Sequence, residues 1–138
     1  MKSFLIDTNC LISFITTRDI EQNEVITGFF EDAAGLNSEI LIISNVISEF
    51  VYTLQSVYKV DLKKISEIIN DLLNNPGIKY HNGYYPLEVI KLWPTKIKDY
   101  GDAVIASAAI ELNATVLTFD KNFSNQLKKT VISYKLLP

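Results

Sequence analysis

The chain has 138 residues, 48% of them apolar and 21% charged, which suits one globular unit with a sizeable core and excludes a disordered chain. A net charge of −3 argues against a dedicated nucleic-acid binder unless bound cations change the balance. The lone cysteine, Cys10, excludes an intrachain disulfide and fits a reducing compartment.

Lys2–Ile6 reads as a short strand closed by Asp7, and Thr8–Ile12 then turns helical with Thr8 or Asn9 available as cap. Asp7 interrupts the apolar run Phe4-Leu5-Ile6 at once, so no signal peptide is expected. Glu21–Ala34 reads as a helix with Val25, Ile26, Phe29 and Phe30 on one side and Gly35 as its stop. Ile40–Ile43 has the β-branched, continuous apolar character of a buried parallel strand. Ser44 or Asn45 is the expected cap of the next helix, which runs through Glu49 to about Tyr58. The stretch Ile40–Leu54 is shorter than the ~20 residues a membrane helix needs and contains Glu49. With neither leader nor span expected, a cytoplasmic protein is. Asp61–Asn74 is a further helix, stopped by Asn75-Pro76-Gly77. Ile78–His81 reads as a short strand, and Pro86–Trp93 as a short helix with proline in its first turn and Pro94 beyond its end.

The most informative stretch is Asp99–Phe123. Asp99 and Asp102 stand three apart at an expected helix start, where unpaired N–H groups and the helix dipole favour negative charge. The body that follows, Ala103 to Leu112, is apolar almost all round, the pattern of a buried helix. Asn113 suits a left-handed stop. Ala114–Thr118 reads as a buried strand with Asp120 just beyond it, and Thr130–Leu136 as an edge strand. Strands alternate with helices throughout, so the expected fold is α/β: three layers, a central parallel sheet with helices on both faces, in a single domain spanning 1–138. No repeat, linker or low-complexity segment is present.

In such a sheet ligands bind at the carboxyl edge of the strands. Asp7 and Asp120 follow strands, Asp102 opens a helix, and Glu49 lies five residues after Ser44. Each acid alone also reads as a helix cap or solvated side chain, and Asp99 reads first as a cap. Meeting at one edge, four carboxylates would repel one another unless a hard divalent cation neutralised them. Two such ions would activate a water, orient a phosphodiester and stabilise its leaving oxygen. His81 is the only histidine, so a paired general acid and base of the metal-free kind is hard to supply. There is no glycine-rich phosphate loop and no zinc-ligand spacing. Cys10 continues the apolar face of the first helix, and Trp93, Tyr84 and Tyr85 read as packing residues. Residues 1–58 hold two basic side chains, Lys2 and Arg18, against eight acids, whereas residues 59–138 hold eleven lysines against eight acids. The lysines of the second half are therefore the expected contacts for a polyanion.

Four blocks carry a family resemblance: Asp7-Thr8-Asn9; Ser44 with Glu49; Asp99-Tyr100-Gly101-Asp102-Ala103 continuing Val-Ile-Ala-Ser-Ala-Ala; and Leu117-Thr118-Phe119-Asp120-Lys121-Asn122-Phe123. In order and on the expected elements, they make the chain resemble the PIN-domain nucleases, most closely the VapC-type toxins of toxin–antitoxin pairs. The resemblance implies an endoribonuclease dependent on Mg²⁺ or Mn²⁺ that cuts single-stranded RNA and leaves 5′-phosphate and 3′-hydroxyl ends. It implies Asp7, Glu49, Asp102 and Asp120 as the catalytic, metal-holding acids, supported by Thr8, Asn9, Ser44, Asp99 and Asn122. It also implies a homodimer and an antitoxin that occupies the acidic cleft. A receiver-like or haloacid-dehalogenase-like domain also places an aspartate at a strand end, but the second acid such a motif wants is Asn9 here. A housekeeping RNA-processing nuclease and a non-catalytic PIN scaffold for protein contact are the alternative roles.

Overall fold

A computed structural model describes all residues, 1–138. The elements run β1 (Lys2–Ile6), α1 (Thr8–Ile15), α2 (Ile20–Ala34), β2 (Ser38–Ile43), α3 (Ser44–Ser56) and α4 (Leu62–Leu73). They continue with β3 (Ile78–His81), α5 (Pro86–Leu92), α6 (Tyr100–Leu112), β4 (Thr115–Thr118), α7 (Lys121–Leu127) and β5 (Tyr134–Leu136). The strands form one sheet in the order β3-β2-β1-β4-β5, and every pairing is parallel. The expected α/β architecture and almost every expected element are present.

The strand order places the site. From β1 the chain steps outward through β2 to β3, then crosses back to β4 and β5 on the other side of β1. Right-handed crossovers in opposite directions put the two groups of helices on opposite faces. Accordingly α1 packs on α2 and α3, and α3 on α4, while α5 packs on α6. The direction reverses between β1 and β4, whose register pairs Phe4 with Thr115 and Ile6 with Leu117. That gap is the topological switch point, where an open α/β sheet has its crevice.

The central strands are apolar because both their faces are covered. Leu5, Ile6, Ile40, Ile42, Ile43, Val116 and Leu117 are all fully or almost fully buried. Helix α6 is buried continuously from Ala103 to Ala109, as its lack of a polar face predicts. It ends in Asn113 at φ 51°, the left-handed stop expected for it.

Two expected caps differ. The first residue flanking α1 is Asp7, whose side chain accepts from Cys10 N, so neither Thr8 nor Asn9 caps it. The flanking residue of α3 is Ile43, with no side-chain cap, and Ser44 is already helical. One residue, Asp7, separates β1 from α1 and takes the capping role, whereas β2 runs directly into α3 and leaves no separate capping residue.

Two glycines show how unevenly the fold tolerates side-chain volume. A methyl group at Gly77, in the turn entering β3, would fall 2.0 Å from the Ala33 carbonyl oxygen, a backbone atom that cannot swing away. A methyl group at Gly28, exposed inside α2, meets nothing within 4 Å. Gly77→Ala is therefore expected to cost about 1–3 kcal/mol, whereas Gly28→Ala should gain about 0.5–1 kcal/mol from helix propensity. Urea melts of the two variants beside the parent check both signs.

Candidate active site

The carboxyl edge of the sheet carries a polar cavity of about 210 Å³ at the switch point. Its walls include the carboxylates of Asp7, Glu49, Asp99, Asp102 and Asp120. Thr8, Asn9, Gly101 and Ile105 complete it. Each acid arrives by a different route. Asp7 ends β1 and starts α1, Asp120 starts α7 just past β4, and Asp99 and Asp102 open α6. Glu49 comes from the second turn of α3. Helices that run back along a parallel sheet begin at its carboxyl edge, so one topology brings all five together.

Three of the carboxylates, those of Asp7, Asp99 and Asp120, are held by backbone donors and by one hydroxyl. Asp7 Oδ1 accepts from Cys10 N at 2.9 Å, and Asp7 Oδ2 accepts from Thr118 Oγ1 at 2.6 Å. Thr118 Oγ1 in turn accepts from Asp120 N at 3.0 Å. Asp120 Oδ1 accepts from Phe123 N, and Asp99 Oδ1 from Asp102 N. Thr118 is fully buried and ties Asp7 to Asp120 across the switch point. Its role was not expected from sequence. A threonine at the end of an apolar strand reads as β-propensity, and only its place two residues before Asp120 hints otherwise.

The supporting residues expected from sequence divide. Thr8 and Asn9 line the cavity, but neither hydrogen-bonds a carboxylate; Asn9 Oδ1 accepts from Arg18 Nη1 at 3.4 Å. Asp99 lines the cavity and caps α6, as its position predicts. Ser44 is exposed and faces a separate cleft with Tyr80 and His81, because it lies on the first turn of α3 on the side turned toward β3. Its neighbour Asn45 stands closer to the acids. A methyl group at Gly101 would lie 3.6 Å from Asn45 Nδ2, 3.2 Å from Asp99 Oδ1 and 4.0 Å from Glu49 Oε2. Asn122 is exposed on α7 and does not line this cavity.

No basic side chain forms an ion pair with the acids. The two ion pairs of the chain, Lys64–Glu67 and Lys91–Glu88, are elsewhere. Burial, then the charges of Asp99, Asp7, Asp120 and Glu49, push the Asp102 carboxyl up to about 7. Burial also raises Asp7, against the lowering effect of its hydrogen bonds from Thr118 and Cys10. Burial drives the Cys10 thiol well above its ordinary value, with its Sγ directed at the Leu117 carbonyl oxygen. That leaves it inert as a nucleophile.

The donor set fits hard divalent cations: it is all oxygen, mostly carboxylate, and its own repulsion favours a positive charge among its members. As placed, no three of the chain's His, Cys, Asp or Glu side chains close around one ion. The cavity leaves room for an ion that keeps part of its water shell, as Mg²⁺ does.

Two measurements follow. Asp102 binds its proton more tightly in the fold than in the unfolded chain. Its contribution to stability is thus fully present below about pH 4 and is lost as pH rises through about 7. In EDTA the melting temperature should fall between pH 5 and pH 8, and Asp102→Asn should flatten that fall. Thr118→Val keeps the shape but leaves a carboxylate oxygen and the Asp120 N–H without a partner. It should cost about 1–3 kcal/mol in a denaturant titration.

The PIN domain family model matches residues 4–128. The chain is 27% identical over 132 residues to the VapC ribonuclease of Aquifex aeolicus (strain VF5), covering 95% of this chain and 97% of that protein. Among solved structures, it is similar to VapBC2 from Rickettsia felis, a complex bound to a DNA fragment from its promoter, with a TM-score of 0.65 at 21% identity. That match covers 96% of this chain and 97% of the other. It is also similar to VapBC-1 from nontypeable Haemophilus influenzae, with a TM-score of 0.66 at 16% identity and 96% of each chain covered. The matched residues run from β1 through α7 and take in all five acids of the cavity. The chain belongs to the PIN-domain family.

Proposed function

We propose that this chain is a divalent-metal-dependent endoribonuclease that hydrolyses phosphodiesters of single-stranded RNA as one catalytic domain, and that it is the toxin of a toxin–antitoxin pair. One observation carries the reading: five acids from four separate segments meet in one cavity at the switch point, with no basic side chain paired to any of them. Asp7, Asp99 and Asp120 also cap helices, but Glu49 and Asp102 cap none and line the same cavity. The similarity to a protein named VapC ribonuclease supports the chemistry, and the likeness to VapBC assemblies supports an antitoxin partner. A second copy of the chain is proposed to complete the working unit.

Asp7 and Asp102 are assigned as the main metal holders, with Glu49 and Asp120 completing the set directly or through water. Mg²⁺ or Mn²⁺, when bound, supplies an activated water and stabilises the leaving oxygen. The chain's own residues fix the acids. Thr118 donates to Asp7 and accepts from the Asp120 amide, so the β1 and β4 acids hold one spacing. Asp99 holds the first turn of α6, and with it Asp102. Gly101 keeps that turn free of a side chain where Asn45 and Glu49 approach. A non-catalytic scaffold is the second reading, favoured by the fact that no three of these acids close around one ion as they stand.

Asp7→Asn retains an oxygen for the Cys10 amide and an amide toward Thr118, so it should fold. Asp7→Asn and Asp102→Asn are each expected to abolish Mn²⁺-dependent, EDTA-sensitive cleavage of labelled RNA while leaving circular dichroism unchanged. Mn²⁺ at a hundred times its Kd should stabilise the parent by about 2.7 kcal/mol, and both variants by much less. Full cleavage by either variant would overturn the assignment; no EDTA-sensitive cleavage by the parent would favour the scaffold.

A further inference from the structure

A second cavity of about 460 Å³ opens beside the acidic one, and the two share Asn9 and Asp120. Its other walls include Arg18 and Phe119. Arg18 is the only arginine of the chain and the only basic side chain on either cavity. Its guanidinium is fixed in place. Nε and Nη2 donate to Ser13 Oγ at 3.2 and 3.0 Å, Nη2 also to Asn9 O at 3.2 Å, and Nη1 to Asn9 Oδ1 at 3.4 Å. Ser13 is fully buried and donates in turn to Gln22. All the acceptors are neutral, and Arg18 forms no ion pair. A guanidinium has five N–H donors, so its full charge and one N–H remain for a ligand.

Four of the eleven lysines of the second half lie away from the acids. Lys91, Lys96, Lys128 and Lys129 line a cleft with Ile110, near the far end of α6. Asp102 and Ile110 are eight residues apart on that helix, roughly 12 Å along its axis. Among the residues lining the two cavities, the one cation is Arg18.

We propose that this second cavity seats the nucleotide adjacent to the scissile phosphodiester, with Arg18 contacting its phosphate and the exposed part of Phe119 its base. This rests on the nuclease reading above. The one N–H that Arg18 keeps free can donate a charge-assisted hydrogen bond to a phosphate oxygen, and an aromatic ring accepts any unpaired base by stacking. Asp19, which caps α2 through the Gln22 amide, and Asp120 share the wall. The cavity therefore suits one phosphate held at Arg18 rather than a run of them, and favours a flexible single strand that can turn its base inward.

The test compares the parent, Arg18→Ala and Phe119→Ala in two assays. The first is Mn²⁺-dependent cleavage of a labelled single-stranded RNA 12-mer. The second is fluorescence anisotropy of the same RNA with each change placed in the non-cleaving Asp102→Asn protein, with Mn²⁺, over a series of NaCl concentrations. Arg18→Ala is expected to raise KM and to weaken binding about tenfold. It should also reduce the slope of log K against log salt by about 0.7, the loss of one phosphate contact on a single strand. Phe119→Ala should weaken binding by about tenfold with the slope unchanged. A role of Arg18 limited to stapling α1 to α2 would lower the melting temperature without changing the slope, and that result overturns the proposal. So does unchanged affinity in both variants. Absence of EDTA-sensitive cleavage by the parent would strike the nuclease reading alone, since the binding series still decides whether the cavity takes a nucleotide.

Discussion

The hydrogen bond from Thr118 to Asp7 is the constraint on which the rest of the site depends. It spans the switch point, from the strand that begins the sheet's outward path to the strand on which the chain returns. Parallel pairing of β1 with β4 sets the two strand ends level. The bond then fixes how far apart their acids lie. Since the Asp120 amide donates to the same hydroxyl, three groups from the two ends of the sequence form one unit. Buried hydrogen bonds to a carboxylate are among the stronger neutral-to-charged contacts, and this one lies where the fold has least freedom.

Around that unit the fold accepts an electrostatic penalty. Burying acids near one another is unfavourable without countercharge, and Asp102 shows the effect by holding its proton near neutrality. The apolar sheet and the close packing of α6 hold the cluster together. The site is in this sense assembled against its own repulsion, a tension that a divalent cation would relieve.

Much of this was legible in the sequence because the signals were local. Unbroken apolar strands, the small-residue body of α6, Asn113 and the acids at strand ends each follow from a short window of residues. The single-histidine, single-cysteine composition narrowed the chemistry. What the sequence concealed depended on distant contacts. Ser44 and Asn45 are neighbours on one turn, and only the approach of α6 at Gly101 selects Asn45 as the one beside the acids. Thr118 looks like any strand residue until β1 lies alongside it. Arg18 is one cation in an acidic half, and its value comes from Ser13 and Asn9 holding it beside a cavity. Counting charge by halves could not single it out, because a count ignores which side chains line a cavity.

Helix α6 carries Asp102 at its start and has no solvent face from Ala103 to Ala109. Such a segment has no independent way to loosen. Its amides should exchange with deuterium only when the whole molecule opens, at the slowest rate in the chain. Whatever adjustment an incoming ion requires must then come from turning side chains, chiefly exposed Glu49 and Asp120, against a backbone that stays still.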